Sequence, residues 1–120
     1  MDITTSETNN AVRVVTLNRP KALNAFNQEL FDALCEEFLD ASQDQNVKVL
    51  VLTGAGRAFS AGADLKARAA GEHANPKHGL EGMLEAIINF PKPLIVAANG
   101  LGVGIGCTLL GLGDMTFVSQ

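Results

Sequence analysis

With 120 residues, 47% of them hydrophobic and 18% charged, the chain can bury one core of its own and is not a disordered tail. A formal charge of -4, with nine lysines and arginines spread along the chain, gives no basic stripe for a nucleic-acid backbone. Cys35 and Cys107 stand in unrelated settings, one in a helical pattern and one in a glycine-rich run, which suggests neither a disulfide nor a zinc spacing and makes a reducing cytoplasm the expected location.

Residues 1–10 are polar and acidic where an export signal would be basic and then apolar, so no targeting segment is expected there. Residues 12–17 are β-branched and end at Asn18-Arg19-Pro20, which predicts a strand that stops before the proline. Leu30, Phe31, Leu34, Phe38 and Leu39 then recur at helical spacing, opposite Glu29, Asp32, Glu36, Glu37 and Asp40. With Asn27 as cap, they predict an amphipathic helix over 27–43. Residues 47–53 read as a strand covered on both faces and closed by Gly54 and Gly56. The small residues of 59–65 follow, with Asp64 as cap of a short helix, and 71–79 read as a mobile loop.

Leu80, Met83, Leu84, Ile87 and Ile88 restore helical spacing until Pro91 and Pro93 end it, and 94–97 form the next buried strand. Residues 99–106 turn tightly into a helix over 107–111, with a last strand at 115–118. The stretch 94–113 is long and nearly uncharged, but its glycines and the Asn99-Gly100 turn favour a strand, a turn and a short helix over a membrane span. Alternating strands and helices imply parallel pairing in an α/β layer architecture, seen as one unit that ends within a strand.

Two segments of small residues lie just past strands, where open α/β sheets bind ligands: Phe59-Ser60-Ala61-Gly62-Ala63-Asp64-Leu65 and the run from Asn99 to Cys107. Small side chains let backbone N–H groups approach a ligand, and two such donors can form an oxyanion hole. Each segment alone fits a tight turn equally well. The glycines at 100, 102, 104 and 106 do not make a G-x-G-x-x-G, and no Lys-Ser/Thr follows, so dinucleotide and P-loop readings fail on spacing.

Taken in order, residues 17–25 (Leu-Asn-Arg-Pro-Lys-Ala-Leu-Asn-Ala), the strand end Thr53-Gly54, residues 59–65 and residues 93–114 resemble the enoyl-CoA hydratase/isomerase, or crotonase, family over essentially the whole chain. The resemblance implies a crotonase-like (ClpP/crotonase) β-β-α superhelix of α/β class, of which residues 1–120 would be the amino-terminal half and an acyl-CoA-binding domain. It implies that the backbone N–H groups of Ala63 and Ile105 polarise a thioester carbonyl, with Ile105 standing where the family more often has glycine. It places Lys21, Ala22, Leu23, Ala25, Ala61 and Lys66 along coenzyme A, as part of an acyl-CoA substrate rather than a separate cofactor. For the bare sequence, Lys21 and Lys66 are equally readable as solvated surface lysines.

Thr108 occupies the position at which the family's hydratases carry the first of two glutamates, and a hydroxyl of ordinary pKa is no general base near neutrality. The run from Gly104 to Leu112 resembles instead the enoyl-CoA isomerase branch, whose single carboxylate would fall past Gln120. The expectation is therefore double-bond isomerisation through an enolate. The alternatives are hydration, or a truncated acyl-CoA-binding or assembly protein without turnover. Full-length relatives imply homotrimers or pairs of trimers; neither nucleic acid nor membrane is an expected partner. His73 and His78 read as a solvated loop without metal ligation, Glu81 and Glu85 as surface charges, Asp64 and Asp114 as a helix cap and a strand-entry turn, and Cys107 as core packing.

Overall fold

The computed structural model describes residues 3–69 and 77–118. Strands Thr4–Asn9 (β1) and Val12–Leu17 (β2) form an antiparallel hairpin. Asn10 and Ala11 close it with φ of 51° and 68°, the positive values that a two-residue hairpin turn needs. β1 was not anticipated from sequence. It is an edge strand whose side chains are nearly all exposed, so it shows no apolar alternation, and backbone pairing to β2 makes it a strand.

Gln28–Gln43 (α1) starts where its cap predicts, with Asn27 Oδ1 accepting the Leu30 N–H at 2.9 Å. Its buried stripe is Leu30, Phe31, Leu34, Cys35, Phe38 and Ala41, together with Gln28. Leu39 falls outside the stripe and is exposed, because the helix turns it past the line of contact with the sheet. Each fully buried Leu or Phe here contributes about 1.5–3 kcal/mol of hydrophobic stabilisation.

Val49–Gly54 (β3), Leu94–Ala98 (β5) and Met115–Val118 (β7) extend the sheet in the order β1-β2-β3-β5-β7, parallel from β2 onward. Cross-strand register separates the two faces. Val15, Leu52 and Val96 line up beneath the helices and are fully buried. Val14, Val51, Ile95 and Met115 line up on the other face, where Val14 is 37% and Met115 55% exposed. The expectation of full cover on both faces of β3 is thus corrected: within these residues its second face is only half covered.

The segments expected to be turns hold a second, two-stranded parallel sheet, Ala58–Ser60 (β4) against Leu101–Gly102 (β6). Asp64 precedes the short helix Leu65–Ala69 (α2), as expected. Gly79–Ile88 (α3) packs on α1 through Met83 and Ile87, whereas Leu80 and Ile88 of its expected stripe are exposed. Its N-terminus is capped from α1, where Asp32 Oδ1 accepts the N–H groups of His78 and Gly79 at 2.8 and 2.9 Å.

Ile105–Leu112 (α4) begins two residues earlier than its pattern suggests, because Gly104 rather than Gly106 ends the turn. Cys107 is consequently exposed on α4 and not core packing; Leu109 and Gly106 are the buried residues. No helix among the described residues is long and apolar enough to cross a membrane.

Candidate active site

Three turns leave the carboxyl ends of β2, β3 and β5 and meet at one junction. In the first, Pro20–Ala22 makes a single 3-10 turn, and Leu23 and Asn24 follow at φ of 53° and 55°. Asparagine tolerates this left-handed geometry, and the fold uses its side chain fully. Asn24 is buried; its Oδ1 accepts the Arg19 N–H at 2.8 Å, and its Nδ2 donates to the carbonyls of Ala55 and Ala58 at 2.9 and 3.0 Å.

The second turn hangs on Ser60, also fully buried. Its hydroxyl donates to the Asn24 carbonyl at 2.9 Å and accepts the Gly62 N–H at 3.2 Å, while its own carbonyl accepts the Val103 N–H at 3.0 Å. Ala61 N–H donates to Leu23 O at 2.9 Å, and an isolated parallel bridge joins Phe26 to Ala63. The third turn is tied back by Asn99, which accepts from Gly54 N–H at 3.1 Å and donates to Gly56 O at 2.8 Å.

Two glycines set the backbone where these turns touch. Gly62 has φ +97° and Gly104 φ +58°, a region that side-chain-bearing residues rarely adopt. They are in contact: a Cβ at Gly62 would lie 2.9 Å from the Val103 carbonyl oxygen, and one at Gly104 3.7 Å from Gly62 Cα.

The residues after these glycines are Ala63 and Ile105, and hydrogen bonding fixes where their amides point. The Gly62 carbonyl accepts the Phe26 N–H at 2.7 Å, so in the planar trans peptide the Ala63 N–H faces the opposite way. The Gly104 carbonyl accepts the Thr108 N–H at 3.0 Å, so the Ile105 N–H points out of the start of α4. Among the described residues neither amide donates to a protein acceptor. Two donors issuing from touching turns are chemically suited to an oxygen that gains negative charge.

The other expected positions divide in two. Ala22, Leu23, Ala25 and Ala61 are half-buried along the first two turns, which their hydrogen bonds hold side by side. Lys21 and Lys66 are exposed on the 3-10 turn and on α2, and among the described residues neither makes an ion pair. Thr108 is exposed on the first turn of α4, its hydroxyl donating to the Gly104 carbonyl at 3.3 Å.

Asp64 caps α2 through the Ala67 N–H at 3.1 Å and pairs with Arg19. The Ala67 N–H, and after it the Arg19 guanidinium, outweigh partial burial and hold its carboxyl below the usual range. Asp114 Oδ2 accepts the Leu94 N–H at 2.7 Å, fastening the entry of β7 to β5. Glu81 and Glu85 are exposed. His73 lies outside the described residues; His78 is half-buried, with Nε2 3.6 Å from Glu36 Oε1. Among the described residues no cluster of three or more His, Cys, Asp or Glu could hold a metal.

Sequence reasoning gave no part in the site to the side chains of Arg19, Asn24 or Ser60, and read Asn99 only as the start of a turn. The signal available was a polar side chain set among apolar and small residues at a sharp turn, where a buried polar group must find partners.

A mostly parallel sheet, covered by α1 and α3 on one face and carrying paired donor turns at its strand ends, defines an α/β protein of crotonase-like architecture. The enoyl-CoA hydratase/isomerase family model matches residues 7–120, and the chain belongs to that family. It is 36% identical over 128 residues to the 1,2-epoxyphenylacetyl-CoA isomerase of Escherichia coli K12, covering 100% of this chain and 48% of that protein. With the 2,3-dehydroadipyl-CoA hydratase of the same strain it shares 40% identity over 110 residues, 91% of this chain and 43% of the relative. The crystal structure of an enoyl-CoA hydratase from Mycobacterium marinum superposes with a TM-score of 0.95 at 49% identity, covering 98% of this chain and 58% of that one. The chain spans about half the length of the curated relatives it matches.

Proposed function

We propose that the chain binds an acyl-CoA thioester and stabilises its enolate between the N–H groups of Ala63 and Ile105, in an enzyme that shifts a double bond along the acyl chain. The observation that carries this reading is the pair of amides without protein acceptors, each following a positive-φ glycine, the two glycines in contact. A carboxylate base takes a proton from the carbon next to the thioester, and the C–H bonding pair moves toward the carbonyl oxygen. The two amides stabilise that charge, and loss of one such donor typically costs about 2.7–4 kcal/mol in the transition state. Return of a proton at another carbon then completes an isomerisation, with no net gain of water. Coenzyme A would lie along Lys21, Ala22, Leu23, Ala25, Ala61 and Lys66 as part of the substrate, and no further cofactor is needed for this chemistry.

Isomerisation is preferred to hydration because of Thr108. Hydration needs a group that activates water near neutrality, and the residue at the expected carboxylate position is a hydroxyl bonded to its own helix turn. No residue of α4 is acidic. The test is a paired assay of the purified protein with a 3-enoyl-CoA and with crotonyl-CoA. Conversion of the first to its 2-enoyl isomer supports the reading. Hydration of crotonyl-CoA with the 3-enoyl substrate left unchanged overturns it.

A further inference from the structure

Arg19 and Asp64 come from segments 45 residues apart and meet beside the Ala63 amide. Asp64 Oδ2 accepts from Arg19 Nη1 and Nη2, both at 3.1 Å, and Arg19 Nη1 also donates to the Ala25 carbonyl at 2.5 Å. The other carboxylate oxygen of Asp64 is committed to the Ala67 N–H at the start of α2. Both side chains are largely shielded, at 23% and 16% exposure. A single guanidinium thus joins the turn carrying Lys21 to Ala25 to the residue directly after Ala63.

We infer that Arg19 and Asp64 are positioning residues that hold the Ala63 N–H at its working orientation; this rests on the reading of Ala63 and Ile105 as thioester-oxygen donors. The direction of that N–H is the direction of the 62–63 peptide plane. On one side this plane hangs from Gly62, whose backbone is the most permissive available and whose carbonyl is held by the Phe26 N–H at 2.7 Å. On the other side Asp64 is restrained twice, by its N–H to the Phe26 carbonyl at 2.8 Å and by its carboxylate to Arg19. Capping α2 requires an acceptor but not a cation. The ion pair adds a link across the two turns, and the planar fork of arginine can serve a carboxylate and a carbonyl together where the ammonium of lysine is a point charge.

The test measures how well the protein distinguishes a short acyl-CoA thioester from its thioether analogue, in which a methylene replaces the carbonyl. Two variants are used: Asp64→Asn, which keeps an oxygen for the α2 cap, and Arg19→Gln, which leaves the cap untouched. Wild type is expected to bind the thioester roughly tenfold more tightly, the size of one or two net hydrogen bonds. Each folded variant is expected to keep its thioether affinity and lose most of that preference. A folded variant that keeps the preference overturns the inference. So does an equal loss of affinity for both ligands, which would make the pair a clamp on the coenzyme A turn alone. Failure of both variants to fold would make the pair a determinant of stability and likewise end the inference. Absence of any preference in wild type is a different result, because it removes the donor reading on which the inference stands.

Discussion

The helix-covered face of the sheet and the junction of turns at its strand ends are built by different physics. Between α1 and the sheet, Val15, Leu17, Leu34, Phe38, Leu52 and Val96 are fully or almost fully buried, and stability comes from apolar area removed from water and close packing. At the junction the central side chains are Asn24 and Ser60, both fully buried and polar, and shape comes from directed hydrogen bonds between backbones that small residues allow to approach. The first region tolerates conservative changes of shape but responds strongly to lost volume. The second has little volume to lose and responds to lost partners.

The largest effect should come from Phe38→Ala. Phe38 is 1% exposed and meets Phe90 edge-on, with ring centroids 5.2 Å apart. A loss of about 3–5 kcal/mol is expected, read as a fall in the midpoint of denaturant unfolding. A loss under about 1 kcal/mol, the range of surface substitutions, would mean that α1 does not carry the core.

Asn24→Ala sharpens the contrast, since it removes few atoms but strands two backbone groups, the Arg19 N–H and the Ala55 carbonyl, and leaves the Ala58 carbonyl only the Asn99 amide at 3.3 Å. Unsatisfied buried groups cost about 1–3 kcal/mol each, relieved in part by water, so a loss of roughly 2–3 kcal/mol is expected. Hydrogen exchange should rise selectively in residues 19–26 and 54–64, whereas uniform acceleration over α1 and β3 would contradict a separate junction.

The smallest effect is acid sensitivity at the α1–α3 contact. Burial of the Asp32 carboxyl opposes ionisation, but hydrogen bonds from Gly79 N–H, the Gln28 amide and His78 N–H outweigh it and lower its pKa. A group whose pKa is depressed by folding stabilises the fold fully above its unfolded value. For Asp32 that value is 3.8, and the contribution is lost as the pH falls through the lower folded value. Asp32→Asn should therefore lower stability modestly at pH 7, where the ionised carboxylate contributes fully, and flatten the decline below pH 3.8, so that variant and wild type converge in acid. An unchanged acid limb would remove Asp32 from the account.

Much of the helix-covered region was legible in the sequence because hydrophobic periodicity reports burial directly. The cap at Asn27 and the buried run of α1 follow from it, as do the cores of β2, β3 and β5. The failures have physical causes. β1 owes its strand to pairing and buries almost nothing, so its sequence is polar. β4 and β6 are three and two residues long, too short for any period to show. Leu39, Leu80 and Ile88 were assigned to buried stripes by spacing, yet they flank the contact line and are exposed.

At the junction, the resemblance of four short motifs singled out Ala63 and Ile105. Nothing in the spacing of Arg19, Asn24 and Ser60 revealed where they meet, because the bonds that join their turns span 31 to 45 residues. Buried polar partners over such separations are a property of the folded chain and leave no local pattern.

The central claim is that two amides share one oxygen atom. A crystal structure of the protein with an unreactive acyl-CoA should place the thioester oxygen about 2.7–3.1 Å from both Ala63 N and Ile105 N. A thioester oxygen bound to only one of them, or an acyl-CoA bound with its carbonyl away from the junction, would contradict the account.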